Sequence, residues 1–324
     1  MFVRFAGRPH SESASAANLE RVVGWIVAGL AFAICAVSAI GHLGDEHMVS
    51  FVNGVWIGLA QRLSEGVFYP PIFDGETVAG TRYYPLSILF NQVFVASTPD
   101  PLFGLKLASS LTMTAVVGLV LALLRRTGVP WHLALPLATL CLVVSEPSLT
   151  ALLAPHRGDA LPLLLQLAAL WLALGPRAPA RLGLAGLVCG LAVVAKPTAG
   201  WAPMAIGLVL LVENRKLLLP FVGGFVLMVV LGYGAASWLS DGRVWSNIGS
   251  FTAHGLGLGR LLKSPLTLLV MIEKDPALFV LAPFLLLDLV LAVRDRSAHP
   301  FELALLGSLA IACFVLSDPV IGPN

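Results

Sequence analysis

LKLASSLTMTAVVGLVLALL, residues Leu105 to Leu124, is an apolar run closed by Arg125-Arg126. Its length is about the 20 residues a helix needs to cross a bilayer core. Comparable runs recur at Val22 to Gly41 and at approximately 132–154, 160–174, 182–195, 199–212, 217–239, 277–292 and 301–317. Of the 324 residues, 57% are hydrophobic and 12% charged, where soluble domains carry about 25% charged residues. The expected class is therefore an all-α polytopic membrane protein, a bundle of about nine to ten transmembrane helices. The net charge of +2 says little, and no basic run suggests a nucleic-acid partner, so none is expected. Cys35, Cys141, Cys189 and Cys313 fall singly in separate apolar runs and read as small buried residues.

The polar tail, residues 1–21, carries Arg4, Arg8 and Arg21. It is expected in the cytoplasm by the positive-inside rule, with the following span retained as an anchor, because no small-residue cleavage site follows it. Residues 22–324 then form one transmembrane domain. The short connectors Arg125-Arg126, Arg177 with Arg181, Arg215-Lys216, and Arg294 with Arg296 are positive and belong inside. The alternating connectors fall outside: His156-Arg157-Gly158-Asp159, Lys196-Pro197-Thr198, the loop 240–275, and Ile321-Gly322-Pro323-Asn324. Parity with a cytoplasmic tail requires the short segment 85–97 to enter and leave on the outer side.

The first outer loop, residues 42–84, opens with His42-Leu43-Gly44-Asp45-Glu46-His47. Phe51, Val52, Val55, Trp56, Leu59 and Leu63 recur at helical spacing and predict an amphipathic helix ended by Gly66. That helix is expected to lie flat in the outer interface, anchored by Phe51 and Trp56, with packing on other helices as the alternative. Tyr69-Pro70-Pro71 and Asp74-Gly75 are turn sequences.

Asp45 and Glu46, next to a membrane exit, are candidates for a general base acting on an acceptor hydroxyl. Adjacent carboxylates also suit a divalent cation, although the sequence shows no full ligand set. Arg157 offers a planar fork matched to phosphate, with Asp159 as its partner or as a cavity residue. Lys196, held in a tight turn before Pro197, stands where a lipid-linked phosphate would lie. In the loop 240–275, Arg243, Arg260 and Lys263 form a basic rim, with Arg260 the candidate phosphate contact. Tyr83, Tyr84 and His254 are expected to line the substrate cavity. A leaving phosphate needs positive charge and an incoming hydroxyl needs a base, so this set suits transfer of a sugar from a polyprenyl phosphate carrier.

The order of features resembles the multi-spanning glycosyltransferases of the GT-C fold, which include protein O-mannosyltransferases and lipid A aminoarabinose transferases. The matching pieces are Gly44-Asp45-Glu46 after the first span and Tyr83-Tyr84-Pro85-Leu86 opening the next apolar segment. Arg157-Gly158-Asp159-Ala160-Leu161 opens a helix, and Leu191-Ala192-Val193-Val194-Ala195-Lys196-Pro197-Thr198 closes another. The resemblance implies Asp45 as the catalytic base supported by Glu46, with Arg157 and Lys196 toward phosphate. It implies an active site outside a bacterial plasma membrane, a polyprenyl-phosphate sugar donor, and a lipid, glycan or protein acceptor. A single Pro85 stands where the family often has a proline pair. Ile321-Gly322-Pro323-Asn324 resembles the start of the family's glycine-asparagine loop, so further C-terminal spans are expected to be lacking. A transporter or flippase, or a non-catalytic membrane subunit, is the competing reading.

Overall fold

A computed structural model describes residues 14–43, 51–73, 80–81, 83–144, 160–252 and 307–308. Among the described residues there are ten helices and no strand. They are α1 (Ala14–Leu43), α2 (Phe51–Ser64), α3 (Pro85–Ser97), α4 (Pro101–Arg126), α5 (Trp131–Val144), α6 (Ala160–Ala173), α7 (Pro179–Ala195), α8 (Trp201–Glu213), α9 (Arg215–Leu239) and α10 (Arg243–Thr252). The expected spans at 277–292 and 301–317 fall almost wholly outside the described residues.

Local sequence sets the boundaries. Pro85, Pro101 and Pro179 each stand in the first turn of a helix, where proline's missing N–H costs nothing and its φ is already helical. The Asp100 carboxylate caps α4 by accepting from the Leu102 and Phe103 N–H groups at 2.9 and 3.3 Å. Asn214 caps α9 by accepting from the Lys216 N–H. Gly66 and Gly128, both at positive φ, follow α2 and α4 in the left-handed conformation that stops a helix.

One end of the bundle collects arginines. Arg126 and Arg181 both donate to the Trp171 carbonyl, and Arg181 also donates to the Leu172 carbonyl at 2.7 Å. Their guanidiniums lie over the Trp171 ring, so two cations satisfy the carbonyl end of α6 and its dipole. Arg125 donates to the Val129 carbonyl and lies over Trp131. Arg177 pairs with Glu213, joining the start of α7 to the end of α8. Gly24 of α1 sits against the His132 carbonyl at the start of α5. Three positive connectors read from the sequence, at Arg125, Arg177 with Arg181, and Arg215, thus meet at one end.

The remaining helix ends gather opposite. Ser87, in the first turn of α3, donates to the Ala195 carbonyl, the last residue of α7, at 2.9 Å. The other end of α3 packs on the start of α4, where Gly104 lies against the Phe94 carbonyl and the Thr98 hydroxyl. Both ends of α3 therefore lie away from the arginines, and α3 does not cross the bundle from end to end. Trp56, Leu59, Phe68, Tyr69, Ile88, Val95, Leu105, Ala236 and Val244 form a core at this tyrosine-bearing end. The amphipathic α2 was expected flat in an interface; instead Trp56 is buried against other helices. Beside Phe68 and Tyr69, its partners include Ile88, Ala236 and Val244, far away in sequence, which a local period does not reveal.

Helices α7 and α9 run parallel along a glycine seam. Gly183 and Gly224 meet, Gly186 lies against the Phe221 carbonyl, Gly190 against Phe225 and Met228, and Gly232 against Val194. Small residues at this spacing let two backbones touch. A second core, including Leu170, Leu182, Cys189, Ile206, Leu210 and Phe221, packs α6 and α8 onto this pair.

Among the described residues, two helices, α4 and α9, are long and apolar enough to cross a membrane, at roughly 39 and 37 Å. Only 28% and 6% of their most apolar stretches are buried inside the protein, whereas the core helix of a soluble protein would be mostly buried. Leu219, Val222, Val226, Val230 and Leu231 turn outward on α9. The apolar helices α6 and α8 are shorter than a full span, at 14 and 13 residues. Exposed tryptophans stand near helix ends: Trp131 and Trp171 by the arginines, Trp238 and Trp245 at the other end. Such aromatic belts mark membrane–water boundaries.

Candidate functional site

The chain has four tyrosines, Tyr69, Tyr83, Tyr84 and Tyr233, and all four come together at the end away from the arginines. Tyr69, buried and at φ 57, adopts a backbone conformation that costs a bulky residue roughly 1–3 kcal/mol. Its hydroxyl donates to the Tyr83 carbonyl at 2.7 Å, which clamps the two limbs of the first loop. Burial holds the Tyr69 phenol well above the usual tyrosine range, and the neighbouring Tyr233 and Tyr84 phenols push the same way. Tyr69 therefore stays a neutral donor.

The Tyr83 ring packs on Trp56 with centroids 4.2 Å apart. Expected to line a cavity, Tyr83 serves the core: its ring covers a buried indole and its carbonyl is taken by Tyr69. Asn247 of α10, fully buried, ties the loop to the second polar interval. It accepts from the Thr81 N–H at 2.7 Å and donates to the Pro70 and Arg243 carbonyls at 3.0 Å each. The interval 240–275, read from sequence as a loop, thus begins with a docked helix, with Val244 and Asn247 buried and Trp245 turned out.

Tyr84 precedes α3 in extended conformation, and its carbonyl accepts from the Ile88 N–H at 3.2 Å. Because Ser87 bonds Ala195, Tyr84 and Lys196 stand at the two sides of one buried contact. Lys196 ends α7, its N–H donating to Ala192 and its carbonyl accepting from Ala199 at 2.9 Å. The half-buried Tyr233 directs its hydroxyl at the Val193 carbonyl, 3.5 Å away, one turn before Lys196. Its ring stacks on Trp245, centroids 5.6 Å apart and 26° between planes. The Trp245 N–H donates to the Ser237 hydroxyl at 3.0 Å. The result gathers Lys196, the half-buried Tyr84 and Tyr233 and the exposed Trp245 indole around the last turn of α7.

Of the residues singled out in sequence, the structure brings Tyr83, Tyr84 and Lys196 together. Asp45, Glu46, Arg157, Asp159, His254 and Arg260 lie outside the described residues. Their sequence neighbours are informative: α1 runs from the arginine end and is described to Leu43, and α6 runs from Ala160 toward its capped carbonyls at the arginines. Among the described residues, no group of three His, Cys, Asp or Glu could hold a metal ion.

The sequence reading passed over Tyr69, Tyr233, Trp245 and Asn247, which nothing local distinguishes. It also passed over Lys106, 1% exposed in α4 beside the core residue Leu105. A lysine inside an apolar run is by itself a functional signal, since ionisable groups at membrane depth are costly. Asn91 of α3 is fully buried, and neither amide atom has a hydrogen-bond partner among the described residues. It shares a helix face with the core residues Ile88 and Val95. Compared with known proteins, the chain matches no family model, no curated protein and no solved structure.

Proposed function

We propose that the chain is an integral membrane glycosyltransferase that moves a sugar from a polyprenyl-phosphate donor to an acceptor hydroxyl at the outer membrane face. The observation that carries this reading is the division of the bundle. Arginines cap carbonyls at one end, while Lys196, Tyr84 and Tyr233 gather at the other. By the positive-inside rule the arginine end is cytoplasmic and the lysine end extracytoplasmic.

In this reading Lys196 neutralises charge developing on the leaving phosphate, and Tyr84 and Tyr233 donate hydrogen bonds to it or to sugar hydroxyls. Asp45, next to the end of α1 in sequence, takes the acceptor proton, with Glu46 beside it. The exposed apolar flank of α9 offers a surface for the lipid tail. The GT-C resemblance supports the same order of parts. A divalent cation, if required, would be held by the Asp45–Glu46 pair.

The test is transfer of labelled sugar from polyprenyl-phosphate donors in membranes holding equal amounts of wild type, Asp45→Asn and Lys196→Ala. Transfer by wild type is expected to disappear in Asp45→Asn and to fall at least tenfold in Lys196→Ala, about 1.4 kcal/mol or more. Transfer unchanged in both variants would remove both residues from the mechanism. Transport of the intact lipid-linked sugar without transfer would favour a flippase.

A further inference from the structure

We infer that the Tyr233–Trp245 pair is the platform on which a sugar ring rests, resting this on the glycosyltransferase reading above and adding where the donor's hexose or pentose sits. Aromatic faces take the apolar C–H face of a sugar, and three features fit Trp245 to that use. The indole is 54% exposed, so one face is open. Its orientation is fixed twice, by stacking on Tyr233 and by donation of its N–H to Ser237. A tryptophan serving as a membrane anchor keeps that N–H for headgroups or water; here it is taken by the Ser237 hydroxyl. Trp238, 81% exposed at the end of α9 and seven residues earlier in the chain, is the better anchor and the natural control.

The platform also has the right neighbour. The Tyr233 hydroxyl reaches the Val193 carbonyl, and Lys196 follows one turn later. An anionic group at Lys196 and a ring on Trp245 are separated by one phenol and one helical turn. In this arrangement the ring would rest on Trp245 and the carrier phosphate would lie on the side of Lys196.

Binding, rather than turnover, tests this. The full chain in nanodiscs is titrated with bare polyprenyl phosphate and with the same carrier bearing glucose, mannose or arabinose. Wild type is expected to bind one glycosylated carrier about threefold to tenfold more tightly than the bare one, the range of a single aromatic contact. Trp245→Leu is expected to abolish that increment and leave bare-carrier affinity unchanged. Trp245→Phe keeps most of it, and Trp238→Leu keeps all of it. If no sugar raises wild-type affinity, or if Trp245→Leu weakens bare and glycosylated carriers equally, Trp245 is a lipid anchor and the inference is overturned. A sugar-dependent increment without any transfer would sink the enzyme reading while leaving the platform standing. Transfer with an increment insensitive to Trp245→Leu would do the reverse.

Discussion

The Ser87 hydroxyl donates to the Ala195 carbonyl at 2.9 Å in a buried contact. One residue opens α3 and the other closes α7, so this bond fixes Tyr84 beside Lys196. The Ala195 carbonyl is one of the four that a helix end leaves unsatisfied. Ser87→Ala removes its side-chain donor and should cost about 1–3 kcal/mol, read as a lower thermal midpoint in detergent. Affinity for bare polyprenyl phosphate should fall with it. A stable Ser87→Ala protein with wild-type affinity would show that the contact does not position Lys196.

Asn247 makes three hydrogen bonds from a fully buried amide. Asn247→Ala leaves the Thr81 N–H and two carbonyls without it and should cost about 2–4 kcal/mol, several single bonds' worth. Asn247→Asp keeps the acceptor for Thr81 but puts an uncompensated charge in a dry site, so it should be no better tolerated. Limited proteolysis should open the segment 65–84 in both variants before the α7–α9 pair.

The glycine seam predicts graded damage. Gly186 and Gly224 each face a backbone atom too close for a β-carbon, so the helices must part to admit one. Gly186→Ala and Gly224→Ala should each destabilise by about 1–3 kcal/mol. Gly223→Ala, whose β-carbon would meet nothing within 4 Å, should be neutral or slightly stabilising through helix propensity. Equal thermal midpoints for Gly223→Ala and Gly224→Ala would contradict the seam.

Tyr69 predicts an alkaline limb. Its phenol is raised above the ordinary 10.0 by burial first and by Tyr233 and Tyr84 next. An unfolded tyrosine therefore loses its proton at lower pH than the folded one. Stability is fully present below pH about 10 and declines as pH rises past that value. Tyr69→Phe loses the bond to the Tyr83 carbonyl and should be less stable at pH 8 by about 1 kcal/mol. The deficit should shrink or reverse by pH 11, because the variant has no phenol to ionise. Parallel pH profiles for the two proteins would exclude Tyr69 as the titrating group.

Most helix positions were legible in the chain because they are set locally. Apolar run length, prolines at Pro85, Pro101 and Pro179, and capping by Asp100 and Asn214 all act within a few residues. The same holds for the amphipathic period of α2, which found the helix and its apolar face. Its packing was left open between the interface and other helices, because a period says which side is apolar and not what covers it. The helix at Arg243–Thr252 was missed because it is short and follows Asp241-Gly242 in a polar interval.

The sequence by itself determined the all-helical class, the apolar segments and the positive connectors, since each depends on composition within one turn or one span. Only the tertiary structure decided that both ends of α3 lie at the Lys196 end, that four tyrosines separated by up to 164 positions meet there, and that the Trp245 N–H finds the Ser237 hydroxyl. Those are contacts between distant segments, fixed by the glycine seam and the Asn247 and Ser87 bonds. No local pattern encodes which distant partner a buried hydroxyl, amide or ring will find.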